Sequence, residues 1–248
     1  MIEVKNLVKN YETNGIVVQA LRGLDLTIEA GEFTAIAGPS GSGKTTLLNI
    51  IGGLDRQSSG EVRVGGSELG LMNARELSDM RLRKIGFIFQ AYNLIPVLSA
   101  IENVEYVLLL QGTDQRERTK RAERILREVG LEREMHRLPR ELSGGQQQRV
   151  AVARAIVSEP GIVLADEPTA NLDQKTGAAL LDLMHELNHR KGITFLFSTH
   201  DTMVMERSER LVYLTDGTVV SDNKKGKAHF EGKGKIIRKK KRAGKGKA

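Results

Sequence analysis

Eight consecutive residues, Gly38-Pro39-Ser40-Gly41-Ser42-Gly43-Lys44-Thr45, constrain this chain more than anything else in it. They fit G-x-x-x-x-G-K-[ST], in which glycines let successive backbone N–H groups curl around phosphates while the following helix aims its positive end at them. Such a loop needs a strand before it and a helix after it. The apolar run Phe33 to Ala37 and the segment Thr46 to Ile51, closed by Gly52-Gly53, supply both. Lys44 is placed to reach the β- and γ-phosphates. The Thr45 hydroxyl suits a Mg²⁺ bridging them, because small hard cations take oxygen ligands and keep most of their waters. ATP or GTP binding is the expected consequence.

A second strand-like run, Ile162-Val163-Leu164-Ala165-Asp166-Glu167, is apolar until it ends in two carboxylates. That is the form of a buried parallel strand delivering charge at its C-terminal end. Asp166 is placed to hold Mg²⁺ through water, and Glu167 to polarise an attacking water. Upstream, Leu142-Ser143-Gly144-Gly145-Gln146 opens a segment whose apolar positions Val150, Ala153, Ile156 and Val157 follow the helical period. A helix N-terminus is itself an anion site. Alone, Ser-Gly-Gly is more often only a cap and turn; within Leu-Ser-Gly-Gly-Gln-Gln-Gln-Arg, just ahead of the carboxylate strand, it becomes specific.

With these motifs in this order, residues 1 to about 222 resemble the ABC ATPase family. The resemblance implies an α/β fold: a P-loop NTPase with a RecA-like core, an antiparallel β subdomain and a helical subdomain at about 91–149, within an ATPase domain of residues 1–223. It implies ATP and Mg²⁺ as cofactors. Tyr11 takes the place of the aromatic that stacks on adenine, and the phosphate set runs through Gly38, Pro39, Ser40, Gly41, Ser42, Gly43, Lys44, Thr45 and Thr46. Thr45, Gln90 and Asp166 correspond to the metal site, Gln90 also linking the attacking water to a membrane subunit. His200, ending the strand Thr194 to Thr199, matches a histidine that contacts the γ-phosphate, so that Glu167, His200, Lys44 and Gln90 form the implied catalytic set. Ala170-Asn171-Leu172-Asp173 matches a loop that crosses a dimer interface. In this family the Lys44 and Ser143 loops lie on opposite sides of the protomer. A head-to-tail homodimer then sandwiches each ATP between Lys44 of one subunit and Ser143, Gly144, Gly145 and Gln146 of the other, and hydrolysis loosens it. Closure expels water and aligns Glu167 with its nucleophile, coupling turnover to movement. His136, His185, His189 and His229 match no functional position and read as surface residues.

The runs Asn49-Ile50-Ile51-Gly52-Gly53-Leu54-Asp55, Gly86 to Pro96 and Ala165 to Asp173 are similar to the lipoprotein-release and macrolide-export branch of the family. That branch implies a homodimer on a separate membrane permease, with residues after Gln90 contributing to the groove that receives the permease's cytoplasmic helix. A regulator of cell-envelope or division machinery is the alternative, and a soluble ATPase acting on nucleic acid a more distant one, since soluble members usually carry two cassettes or a long coiled-coil insertion.

The 248 residues can bury one sizeable core, or a core plus a small lobe. Apolar runs are short, as at Val107 to Leu110, so no span of roughly 20 residues is expected. With no cysteines and no charged-then-apolar pattern in Met1 to Lys5, the expected compartment is the cytoplasm, peripheral on the inner face of the membrane through the permease. A helix from about Arg116 to Val129 turns Ala122, Ile125, Leu126 and Val129 inward, and another from Lys175 to Arg190 carries a stripe of Leu180, Leu183, Met184 and Leu187. Residues 224–248 hold twelve Lys/Arg against one acid, Glu231, leaving 26 basic against 30 acidic residues in the rest. Such a tail has too few apolar groups to fold alone. It reads as a solvated extension, as a contact for an anionic leaflet, or as a nucleic-acid contact.

Overall fold

The computed structural model describes residues 1–13 and 15–224. The chain runs β1 (Ile2–Thr13), β2 (Ile16–Ile28), β3 (Phe33–Ala37), α1 (Lys44–Ile51), β4 (Ser59–Val64), β5 (Ser67–Glu68), α2 (Ala74–Lys84), β6 (Ile85–Ile88) and α3 (Ala100–Leu110). It continues through α4 (Gln115–Glu128), α5 (Gly144–Ile156), β7 (Ile162–Asp166), α6 (Gln174–Lys191), β8 (Thr194–Thr199), α7 (Thr202–Arg207), β9 (Arg210–Thr215) and β10 (Thr218–Lys224). An antiparallel sheet has the order β2-β1-β4-β5, and a six-stranded sheet the order β10-β9-β3-β8-β7-β6. In the second sheet β9, β3, β8, β7 and β6 are parallel and β10 closes one edge antiparallel.

Side chains on a strand alternate between faces, and this alternation divides the core in two. Ile36, Ile162, Leu164, Leu196 and Val212 face one way, packing with Leu47, Leu48, Ile50 and Ile51 of α1 and with the inner face of the antiparallel sheet, including Val4, Leu26 and Val62. Phe33, Ala35, Val163, Ala165, Phe195 and Phe197 face the other way, onto apolar residues of α3 to α6. Each fully buried Val, Leu, Ile or Phe among them contributes about 1.5–3 kcal/mol. The helices α1 and α5, which carry the two candidate phosphate devices, therefore lie on opposite faces of one sheet.

The expected helices form within a residue of their anticipated bounds, except that α1 already begins at Lys44. On α6 the buried stripe is Leu180, Leu181, Met184 and Leu187, and Leu183 is only partly covered. Position 181 is one helical turn before Met184, whereas 183 is rotated about 100° from it. Of the histidines expected at the surface, His136 and His189 are exposed, and His229 lies outside the described residues. His185 departs from expectation: it is half-buried, its ring edge-on to Phe33 at 5.1 Å. Burial, reinforced by the neighbouring His189, holds its imidazole pKa below the ordinary value.

Lys224, expected to open the basic tail, instead ends β10 and pairs with Glu32 at 2.8 Å; the rest of that segment lies outside the described residues. Nearby, Arg210 joins three strands and the turn before β3. Its guanidinium donates to Thr27 O at 2.7 Å, to Glu32 at 2.8 Å and, by two bonds of 2.6 and 2.8 Å, to Asp222. Arg210 holds the Asp222 carboxyl below the usual range. Burial alone would raise Glu32, but hydrogen bonds from Lys224 and Arg210 override it and lower it too. Their stabilisation is therefore complete above the unfolded carboxylate value of about 4 and is lost as pH falls through the folded values. Asp222→Asn should lower the urea midpoint at neutral pH and flatten its decline in acid; an unchanged acid profile would remove this network as its cause.

Candidate functional site

Parallel pairing brings the ends of three strands to one edge. Ala37 aligns with Thr199, and Asp166 with Ser198. Residues 38–45 leave β3 at that edge and turn into α1. The N-cap of α1 is Gly43, at φ 99°, with no side-chain cap and no acid in the first turn. A Cβ there would stand 2.6 Å from Ala20 O, so the position needs glycine for both backbone angle and space. The other described α-helices carry side-chain caps: Asn73, Ser99, Asp114, Ser143, Asp173 and Asp201. The first N–H groups of α1 are thus left without a capping side chain. Lys44 is buried and its Nζ donates to the carbonyls of Gly38 and Pro39, both at 2.9 Å. Ser42 Oγ is buried without a hydrogen-bond partner. An uncapped helix end, a cation tethered only through loop carbonyls and an unsatisfied hydroxyl together fit a polyphosphate.

Thr45 Oγ1 is 3.2 Å from both carboxylate oxygens of Asp166, so one hydroxyl and one carboxylate, hard oxygen donors, converge beside that cradle. Glu167 follows with φ 47°, and its amide donates to Ser198 O at 2.9 Å. A left-handed conformation costs a non-glycine residue about 1–2 kcal/mol. It turns the carboxylate toward His200: Oε1 accepts from the His200 amide at 3.1 Å and lies 2.6 Å from Nδ1, while Oε2 accepts from Thr199 Oγ1 at 3.2 Å. Glu167 is 14 % exposed and His200 71 %, so a shielded carboxylate is held by a solvent-facing imidazole. Beside the pair opens a cleft of about 720 Å³ lined by Thr169, Leu172, Asp201 and Arg207.

Tyr11 stands on β1 and is 40 % exposed. Its hydroxyl donates to Asp55 at 2.7 Å and is also within hydrogen-bonding reach of Thr46. Lys9 lies over the ring at 4.7 Å and donates to Asp55 at 2.7 Å. Although burial alone would raise it, these donors hold the Asp55 carboxyl low; burial and then Asp55 push the Tyr11 phenol up. Tyr11 is thereby fixed next to the helix that follows the phosphate loop.

Ser143, Gly144 and Gly145 are not brought to this edge cluster, because α5 lies across the sheet from α1. Ser143 Oγ accepts from Gln146 N at 3.3 Å, and Gln146 Oε1 accepts from Ser143 N at 2.9 Å, a reciprocal cap. A Cβ on Gly145 would run into the Thr176 methyl, which sets how closely α5 approaches α6. Gln90 is exposed, and its carbonyl accepts from Asn171 Nδ2 at 2.8 Å, tying it to the loop after Glu167.

Three residues here escaped the sequence reading. Asp55 anchors Tyr11. Gln148, fully buried, donates to Pro168 O at 2.7 Å. Arg154 donates to Asn93 O at 2.5 Å and Tyr92 O at 2.8 Å, clasping two consecutive residues at positive φ. The signal for the last two was present in Gln-Gln-Gln-Arg and the following helix, as polar residues within an apolar-periodic stretch.

Such an arrangement defines a P-loop nucleotidase. Residues 21–170 match the ABC transporter family, and the chain belongs to it as an ATP-binding ATPase. It is 46 % identical over 222 residues to a lipoprotein-releasing system ATP-binding protein LolD of Anaeromyxobacter dehalogenans, covering 89 % of this chain and 93 % of that one. It is 48 % identical over 222 residues to the macrolide export ATP-binding/permease protein MacB of Rhodopseudomonas palustris, covering 89 % of this chain and 34 % of that one. Among solved structures, the ATP-binding cassette MJ0796 in a dimeric post-hydrolysis state with ADP and Pi superposes with TM-score 0.84 at 45 % identity, covering 90 % of this chain and 98 % of that chain. The protein MJ0796 is from Methanocaldococcus jannaschii.

Removing the Lys44 ammonium should weaken ATP binding by roughly 10- to 100-fold, as expected for loss of charged hydrogen bonds. Titration of Lys44→Ala with a fluorescent ATP analogue measures this, and undiminished ATP hydrolysis by the variant would rule out the assigned loop.

Proposed function

We propose that this chain hydrolyses Mg²⁺-ATP as a head-to-tail homodimer and transmits its closure to a separate membrane permease of the lipoprotein-release or macrolide-export type. The observation that carries the reading is the placement of α1 and α5 on opposite faces of the sheet. Two phosphate-binding helix ends so separated serve one nucleotide only when a second copy supplies the other end. Dimeric structures of MJ0796 support this arrangement.

In that dimer residues 38–46 and Lys44 cradle the phosphates, and the ring of Tyr11 stacks on adenine. Thr45, Asp166 and Gln90 would hold Mg²⁺, which when bound neutralises charge on the phosphate oxygens. Glu167 accepts the proton of the attacking water. His200 positions Glu167 through Nδ1 and contacts the γ-phosphate. The Ser143, Gly144, Gly145 and Gln146 end of the partner closes over the phosphates, excluding water.

A groove of about 380 Å³ between Leu54, Leu82, Phe87, Phe89, Val107 and Arg154 adjoins the loop that Arg154 clasps. Phe87 and Phe89 stack there at 5.8 Å, and Leu54 is exposed. Apolar walls beside a pinned loop suit an amphipathic cytoplasmic helix of the permease. No helix among the described residues is long and apolar enough to cross a membrane; attachment to the inner face would come through the permease. The basic residues after β10 add attraction to anionic lipid, each on the order of 1 kcal/mol near such a surface.

Glu167→Gln keeps the size of the side chain but cannot take a proton, so turnover should fall roughly 10²- to 10⁴-fold. ATP is then held unspent, and a dimer should accumulate that size-exclusion chromatography with light scattering resolves. Adding Ser143→Arg should abolish that dimer while leaving ATP binding largely intact. Near-normal hydrolysis by the Gln variant, or a dimer indifferent to Ser143→Arg, would refute the composite site.

Deleting residues 225–248 should leave ATP turnover in solution unchanged while association with anionic vesicles drops and loses its steep salt dependence. Equal vesicle binding by the full and shortened chains at low salt would remove the lipid contact.

A further inference from the structure

We propose that His185, His189 and Glu209 form a site for a divalent transition metal of the zinc class, with three protein ligands and an open fourth position. The proposal is independent of the ATPase reading, because the site uses none of its residues and lies at the opposite edge of the sheet. His185 and His189 belong to the last turns of α6, and Glu209 immediately precedes β9, its amide donating to Phe33 O at 2.9 Å.

Four-residue spacing puts both imidazoles on one helix face. His185 Nε2 and His189 Nε2 are 3.3 Å apart, and Glu209 Oε1 lies 3.5 and 3.7 Å from them respectively. A tetrahedral ion with bonds of about 2.05 Å separates its ligands by about 3.4 Å. The three atoms therefore already outline one face of such a tetrahedron. Two imidazole nitrogens and one carboxylate oxygen favour zinc or a neighbouring transition metal over Mg²⁺ or Ca²⁺, which take all-oxygen shells.

A second observation points the same way. Glu209 Oε1 is buried, and the two imidazoles it faces stand at 3.5 and 3.7 Å, too far for a good hydrogen bond. A buried carboxylate oxygen with only such long contacts is poorly satisfied, and a metal ion held between the three groups satisfies it. His185 is held in place by its edge-on contact with Phe33 at 5.1 Å, while His189, 54 % exposed, leaves an entry path from solvent.

The helix reads His185-Glu186-Leu187-Asn188-His189, the H-E-x-x-H pattern that presents two histidines to zinc. Glu186, where metalloproteases keep their general base, is exposed and pairs with Arg190 at 3.0 Å. We therefore assign metal binding and no hydrolysis at this site. A bound ion would join the end of α6 to the segment entering β9, so binding should stabilise the folded chain by linkage.

Calorimetric titration of the tag-free, nucleotide-free full chain with Zn²⁺ tests the site, together with Co²⁺ absorption and thermal unfolding. The expected result is one equivalent of Zn²⁺ bound, an intense visible Co²⁺ band of tetrahedral type and a raised unfolding midpoint. His189→Ala and Glu209→Gln should each weaken Zn²⁺ binding by at least about tenfold and lose the Co²⁺ band, while Asp166→Asn leaves both unchanged. Absence of Zn²⁺ binding by the wild-type chain would overturn the proposal. So would affinity unaffected in both cluster variants, or binding abolished by Asp166→Asn.

Discussion

The parallel register of β3, β8 and β7 is the constraint on which the rest of the nucleotide site depends. With Ala37 opposite Thr199 and Asp166 opposite Ser198, the strands end together, and their next residues start the phosphate loop, the His200 turn and Glu167 at one edge. The hydrogen bond from the Glu167 amide to Ser198 O extends this pairing one residue past β7. A shift of one residue would send Asp166 to the other face of the sheet. Packing forbids it, since the same shift would exchange Val163 and Ala165 with Leu164 and move each into the wrong half of the core.

Separation of the core into two halves has a second effect. The antiparallel sheet and α1 share one apolar cluster, while α3 to α6 share the other, so the nucleotide-facing and helical parts meet mainly across the six-stranded sheet. Local contacts also tie α5 and the Gln90 loop to the segment after Glu167: Gln148 to Pro168 and Asn171 to Gln90. Each is a single hydrogen bond, individually worth about 1 kcal/mol.

The fold was legible in the sequence where local pattern and tertiary role coincide. The glycine loop between an apolar run and a helix, the strand ending in Asp166 and Glu167, and the inward stripe of α4 each carry their own period or cap. His185 was misread as a surface residue because its helix position lies beside the buried stripe, and only the meeting of α6 with Phe33 covers it. Leu181 was passed over for Leu183 because a helical stripe of leucines leaves its centre open by one residue. Asp55, Gln148 and Arg154 act through backbone carbonyls or a distant phenol, partners that no local spacing reveals. Lys224 was assigned to the tail by its charge, whereas its backbone pairs with Arg210 of β9 and its ammonium reaches Glu32.

One helix, α5, touches three regions along its length. Its first turn carries the capped Ser143 end, Gln148 near its middle grips the backbone just beyond Glu167, and Arg154 near its far end clasps Tyr92 and Asn93. At 1.5 Å per residue these thirteen residues span about 20 Å. A continuous helix of that length joins the three contacts through one rigid body rather than a relay of separate ones. In the proposed dimer, a push on its first turn from the neighbouring copy's nucleotide would reach the loop after Glu167 and the Tyr92–Asn93 loop together, so that one rigid body would set the timing of both.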